Sequence, residues 1–229
     1  MTVPAPREPM PGSQTASPVV TNTTASNTVA NGTVASLFQR REQPVRDFAA
    51  QAGDVAAASH QMALRFHQGG KLVVFGIGGP STDAQHVAVE FVHPVIVGKR
   101  ALPAIALTSD VATVTGIAAR SGMASIFSHQ LRYLAQPADI ALGISADGNC
   151  ASVLSGLLTA RELGLLTIAL VGGDGGAIAA SPAVDHLLVT RSSDPRVVKE
   201  MHVTCYHVLW ELVHVFFEQP GVFGPEVLA

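Results

Sequence analysis

From about residue 35 to Gln68, apolar side chains recur at helical spacing: Leu37 and Phe38, then Val45, Phe48 and Ala49, then Met62, Ala63 and Phe66. The spacing predicts two helices. Pro44 is the expected break between them, because proline lacks the backbone donor and its ring clashes with the preceding turn. Gly69-Gly70 ends the second helix. Beyond it, short apolar runs alternate with longer amphipathic stretches. The runs predict strands at 71–76, 103–107, 138–144, 166–171 and 184–189, and the stretches predict helices at 81–93, 110–118, 123–134, 149–163 and 196–217. LVVFG, IALGIS and LTIALVG are continuously apolar, as parallel strands covered on both faces must be. The expected architecture is one doubly wound α/β domain, a five-stranded parallel sheet flanked by helices.

The ends of the chain read differently. Residues 1–34 are dominated by Thr, Ala, Ser, Asn and Pro and bury too little apolar area to offset chain entropy, so a disordered tail is expected. The domain with its N-terminal helices is then 35–218, and 219–229 forms a C-terminal tail containing Pro220, Gly221 and Gly224.

Composition narrows the function. Of 229 residues 48% are hydrophobic, enough for a sizeable core. Only 14% are charged and the net charge is −3, so no basic stripe exists to displace counterions from a nucleic acid. So little charge suggests extra buried surface, as in an oligomer. Two cysteines, Cys150 and Cys205, fit a reducing compartment better than a disulfide scaffold. The sequence shows no apolar stretch that reads as a membrane span or secretory signal, and cytoplasm is the expectation.

The candidate chemistry sits where strands hand over to helices. Gly76-Ile77-Gly78-Gly79 opens into a helix carrying His86 and Glu90 four residues apart, hence on one face. An imidazole and a carboxylate so placed can chelate a metal or move a proton. Gly76 and Gly78 begin a dinucleotide fingerprint, but Ser81 occupies the third glycine position and no acidic residue ends the next strand; a P-loop lacks its Gly-Lys-Ser/Thr ending. A second turn, ISADGNCASVL, offers Ser145, Gly148 and Asn149 to an anion at a helix start. Asp147 speaks for an ordinary cap there, since its carboxylate would occupy the positive helix end and repel a phosphate. The last helix carries Lys199, His202, Tyr206 and His207 among a buried stripe of Val198, Met201, Cys205, Val208 and Leu209.

FGIGGPSTDAQH, LPAIALTSD, ALGISADGNCASVL, ARELGLLTIALVGGDGG and KEMHVTCYHVLWEL, in this order, resemble the sugar isomerase (SIS) domain in its phosphoheptose isomerase branch. The resemblance runs from about residue 45 to 216. It implies a homotetramer with sites at subunit interfaces, and a reaction interconverting sedoheptulose 7-phosphate with a heptose phosphate. By the same resemblance His86, Glu90, Lys199 and His207 stand at four zinc-ligand positions, with Glu90 and His207 also acting as base and acid. Gly78, Gly79, Ser81, Asp110, Ser145, Gly148, Asn149 and Cys150 fall at ligand-binding positions.

The departures from the family pattern are specific. Ile77 and Pro80 alter the glycine turn GNGGS, and Ala146, Asp147 and Cys150 alter the phosphate loop STSGNS, removing hydroxyls and adding a negative charge. Lys199 replaces a glutamine, and a protonated ammonium has no lone pair for zinc. Either His86, Glu90 and His207 form a three-ligand zinc site, or Lys199 fills the cation position and pairs with Glu90. Two functions follow: sugar or sugar-phosphate binding with aldose–ketose isomerisation, or a non-catalytic SIS sensor or scaffold that binds a protein partner.

Overall fold

The computed structural model describes residues 23–219 and 221, and the chain divides into two compact units, residues 1–39 and 40–229. In chain order the elements are helices α1 (Thr23–Ala49) and α2 (Ala52–His67), strand β1 (Leu72–Gly76), α3 (Gly79–Val92), β2 (Ala104–Ala106), α4 (Val111–Ser121) and α5 (Ile126–Leu134). They continue with β3 (Ile140–Ser145), α6 (Ala151–Glu162), β4 (Leu166–Gly172), the short α7 (Gly176–Ala179), β5 (His186–Thr190) and α8 (Pro195–Glu218).

All pairings are parallel, in the order β2-β1-β3-β4-β5. The order reverses direction between β1 and β3, and in such a sheet the crevice for a ligand lies outside the carboxyl ends of those two strands. The turns after β1 and β3 are the Gly76–Gly79 and Ser145–Cys150 segments. Both predicted chemical turns therefore flank one crevice.

Alternation along the strands makes two cores. Leu72, Val74, Leu142, Ile168 and Leu170 face a cluster with Met62, Phe91, Tyr206 and Trp210, contributed by α2, α3 and α8. Val73, Phe75, Ala141, Ala169 and Val171 face the other way, onto Phe127, Leu131, Val153 and Leu157 from α5 and α6. With helices on both faces, β1, β3 and β4 are buried along their whole length, which is why their runs carry no polar alternation.

Three expectations change. Pro44 lies inside α1 and does not end it. Its ring is buried, so packing offsets the lost backbone bond, and the chain turns instead at Ala50 and Gln51, whose amides bond the carbonyls of Arg46 and Phe48. Second, α1 begins at Thr23, inside the segment expected as a tail; residues 1–22 of that tail lie outside the described residues. A helix extends by one backbone bond per added residue, and residues 30–36 do so while exposed, without joining either core. Third, GGDGG leads into α7, which the sequence reading did not anticipate. Of the C-terminal tail only Gln219 and Gly221 are described.

Candidate active site

Helix α3 starts directly off β1. Gly78, at φ 70, takes the N-cap position, and Pro80 sits in the first turn, where its fixed φ suits a helix start. Asp83, Ala84, Val87, Glu90 and Phe91 then form the buried face. Helix α8 is capped by Asp194, whose carboxylate accepts from the Arg196 amide; the Arg196 guanidinium, with that amide, holds this carboxyl down at about 2. Its buried face runs through Val197, Val198, Met201, His202, Cys205, Tyr206, Leu209, Trp210 and Val213, whereas Val208, expected in this stripe, turns outward and is exposed. The two faces meet, and the Trp210 indole donates to the Glu90 backbone carbonyl at 2.9 Å.

Along this seam His86, Glu90 and His207 converge, with one candidate ligand atom from each lying within 4.8 Å of the others. His86 Nε2 is 3.2 Å from Glu90 Oε1, and the His86 and His207 rings stand edge to face at 5.2 Å. Glu90 is buried and His207 exposed, so the cluster opens outward through the histidine. Tyr206 closes it from within: its hydroxyl is 2.6 Å from His86 Nδ1, and its ring packs edge-on against both histidines. Burial, helped by the Asp83 and Glu90 carboxylates, pushes the Tyr206 phenol above its usual range and keeps it protonated.

Lys199 does not join this cluster. Its ammonium donates to Asp83 Oδ1 at 2.6 Å, to Thr82 Oγ1 at 3.1 Å and to the Gly79 carbonyl at 3.2 Å. The pairing with Glu90 considered above is thereby corrected. Lys199 lies two helical turns from His207, about 12 Å along the axis, and meets a carboxylate nearer the start of α3. Asp83 is 4% exposed, and the lysine supplies its counter-charge. Next to it His202 is buried, which depresses its pKa, while a hydrogen bond to the Val171 backbone acts the other way. Neither Asp83 nor the inward aim of Tyr206 was read from the sequence, where both resemble ordinary members of an amphipathic stripe.

At the sheet edge a groove of about 450 Å³ opens between the two predicted turns, lined among others by Ile77, Pro80, Ser145, Asp147, Cys150 and Ser193. A smaller hollow of about 330 Å³ shares Pro80, Ala146, Pro195 and Val198 with it and reaches Asp83, Lys199 and His202. The groove thus connects to the seam through the Lys199–Asp83 pair.

The loop after β3 is occupied with itself. The Ser145 hydroxyl lies 3.3 Å from Asp147 Oδ1 and accepts from the Gly148 amide at 3.0 Å, and Asp147 Oδ1 accepts from the Asn149 amide at 2.9 Å. Asp147 therefore folds its own loop and caps no first-turn amide of α6, whose N-cap residue is Cys150. The Asn149 carbonyl oxygen accepts from the Ala177 amide, capping α7 instead. Gly148, at φ 73, lies so close to Gly175 that a Cβ would sit 1.9 Å from its carbonyl oxygen. The GGDGG segment is thus the wall that shapes this loop.

Among the remaining predicted residues, Gly79 lines the hollow beside Lys199. The Ser81 hydroxyl turns back onto the Gly78 carbonyl at 2.6 Å. Asp110 caps α4, accepting from the Thr113 hydroxyl and amide, and those bonds lower its pKa. It lines a different groove, of about 790 Å³, with Val89, Val92, Tyr133 and Leu134, and within the chain it does not meet the His86 cluster.

The SIS domain matches residues 39–172 of this chain. The phosphoheptose isomerase of Solidesulfovibrio magneticus is 38% identical over 181 residues, spanning 79% of this chain and 87% of that protein. The structure of a phosphoheptose isomerase from Francisella tularensis superimposes with a TM-score of 0.75 at 30% identity, covering 81% of this chain and 98% of that one. That of the Neisseria gonorrhoeae enzyme gives 0.73 at 29% identity, covering 80% and 98%. Five parallel strands in this order, the paired glycine turns and these likenesses together place the chain in the SIS-domain family, in the branch formed by the phosphoheptose isomerases.

Proposed function

We propose that this protein is an aldose–ketose isomerase of a sugar phosphate. The observation that carries the reading is the convergence of Glu90, His86 and His207 on the seam between α3 and α8. Isomerisation requires a base to take the proton beside the carbonyl and an acid–base partner to return one to the neighbouring carbon. Glu90, anchored by the His86 contact and by Trp210 on its backbone, takes the proton from C1 of the ketose. Glu90, once protonated, returns that proton or one exchanged with solvent to C2, while His207, exposed at the mouth, exchanges protons with the sugar oxygens. In this reading the phosphate end of the ligand enters the groove lined by Ser145 and Cys150, with Ile77 and Pro80 also on its walls.

Two imidazoles and a carboxylate within 4.8 Å form a donor set that suits a zinc ion with an open position, and Lys199, engaged by Asp83, does not obstruct it. When bound, such a cation would polarise the sugar oxygens. Val89 and Val208, adjacent to Glu90 and His207, are 52% and 38% exposed, which fits a further copy of the chain covering the seam in a homotetramer. Sedimentation would show that assembly.

Incubation with sedoheptulose 7-phosphate, followed by NMR, tests the activity. Appearance of an aldose phosphate is expected. Ligand-induced thermal stabilisation with no product would instead make the protein a sugar-phosphate sensor.

A further inference from the structure

Tyr206 is 1% exposed and presents its hydroxyl to His86 Nδ1 at 2.6 Å, while the other ring nitrogen faces Glu90 Oε1 at 3.2 Å. An ionised carboxylate only accepts hydrogen bonds, so the nitrogen facing it carries the hydrogen. In a neutral imidazole the opposite nitrogen is then an acceptor, and the Tyr206 O–H donates to it. In this arrangement the Nε2 lone pair is not open to a cation. For Nε2 to ligate, its proton must leave to water and water must supply one to Nδ1, leaving the ring neutral and Tyr206 protonated. The new Nδ1–H then donates to the phenol oxygen, which accepts as readily as it donated.

We propose that Tyr206 is a positioning residue whose hydroxyl serves both tautomers of His86, holding the ring in one place while the proton changes sides, so that the cluster switches between a closed Glu90–His86 pair and a metal-binding triad. A phenylalanine would keep the packing against both histidines and lose this service. The partner of a ligating histidine typically contributes 10- to 100-fold in metal affinity. The inference rests on the isomerase reading only for what the metal does afterwards.

The test uses the full chain labelled with 15N-histidine, with His86→Gln to assign the His86 resonances. In metal-free protein at neutral pH, His86 should appear as the Nε2–H tautomer, and added zinc should convert it to the Nδ1–H form. Zinc affinity, measured by competition with a chromophoric chelator, should fall roughly 10- to 100-fold in Tyr206→Phe, because the Nδ1–H form loses its acceptor while Glu90 still holds the metal-free ring as Nε2–H. A metal-free His86 that is Nδ1–H or doubly protonated overturns the proposal, as does Tyr206→Phe with unchanged zinc affinity, or a wild-type chain that takes no zinc. If Tyr206→Phe does not fold, the wild-type spectra alone decide. None of these measurements involves substrate. The predicted tautomers without isomerisation would sink only the functional reading, and isomerisation with the wrong tautomer would sink only this one.

Discussion

The seam between α3 and α8 and the loop after β3 both bring polar groups toward one crevice, but they pair them over different distances in sequence. In the seam, Tyr206 meets His86 and Trp210 meets Glu90 across 120 residues, and Lys199 meets Asp83 across 116. In the loop, Ser145, Asp147, Gly148 and Asn149 bond one another at separations of two or three. The seam holds reactive side chains in a fixed relation that leaves His207 facing outward. The loop consumes its own donors and acceptors and presents a carboxylate. On the proposed reading the two sides of the site depart unequally from the family pattern: the seam retains His86, Glu90 and His207 and differs at Lys199, whereas the loop differs at Ala146, Asp147 and Cys150.

The largest effect that would sharpen this contrast is expected in the seam. Glu90→Gln keeps shape and hydrogen bonding but removes the base, and steady-state isomerisation should fall roughly 100- to 10,000-fold, with sugar-phosphate affinity little changed. Comparable loss of both would mean that Glu90 is structural. Next comes the wall of the loop. Gly148→Ala forces a Cβ toward the Gly175 carbonyl at a left-handed φ, and should lower unfolding stability by about 2–3 kcal/mol in a denaturant titration. A smaller change of opposite sign is expected from Asp147→Ser, which removes the repelling charge. Sugar-phosphate binding by calorimetry should tighten roughly tenfold, about 1.4 kcal/mol. Unchanged affinity would mean the phosphate enters elsewhere, breaking the comparison.

How much of this was legible in the chain follows from the same distances. Strands β1, β3 and β4 declared themselves because an apolar run covered on both faces has no other explanation at that length. His86 and Glu90 could be paired because helical spacing is local, and Asp147 could be suspected because turn chemistry is local. Tyr206 and Asp83 could not be found, since a polar residue within an apolar stripe acquires its role only when a second helix packs on it. Pro44 misled for the converse reason: its local effect was read correctly, and tertiary burial outweighed it. The convergence of His207 with the pair on α3 came from family resemblance, not from spacing.

The smallest predicted effect concerns acid stability. Burial depresses the pKa of His202 and His186, so the unfolded chain binds protons more readily than the folded one. Stability should be complete above about pH 6.5, the unfolded histidine value, and decline as pH falls below it. The Asp194 carboxyl, at about 2, loses its contribution only in stronger acid. Melting temperature should therefore drop between neutral pH and about pH 5.5, and His202→Asn should flatten that slope. A flat wild-type profile would show that neither histidine remains neutral in the folded chain.

In the proposed isomerisation Glu90 moves a solvent-exchangeable proton between neighbouring carbons of a bound sugar phosphate, while His207 serves the sugar oxygens. Running the reaction with sedoheptulose 7-phosphate in D2O tests it most directly. Deuterium should enter C1 of the remaining ketose and C2 of the aldose product with wild-type protein, and neither position with Glu90→Gln. Conversion without deuterium, or undiminished labelling in Glu90→Gln, would contradict it.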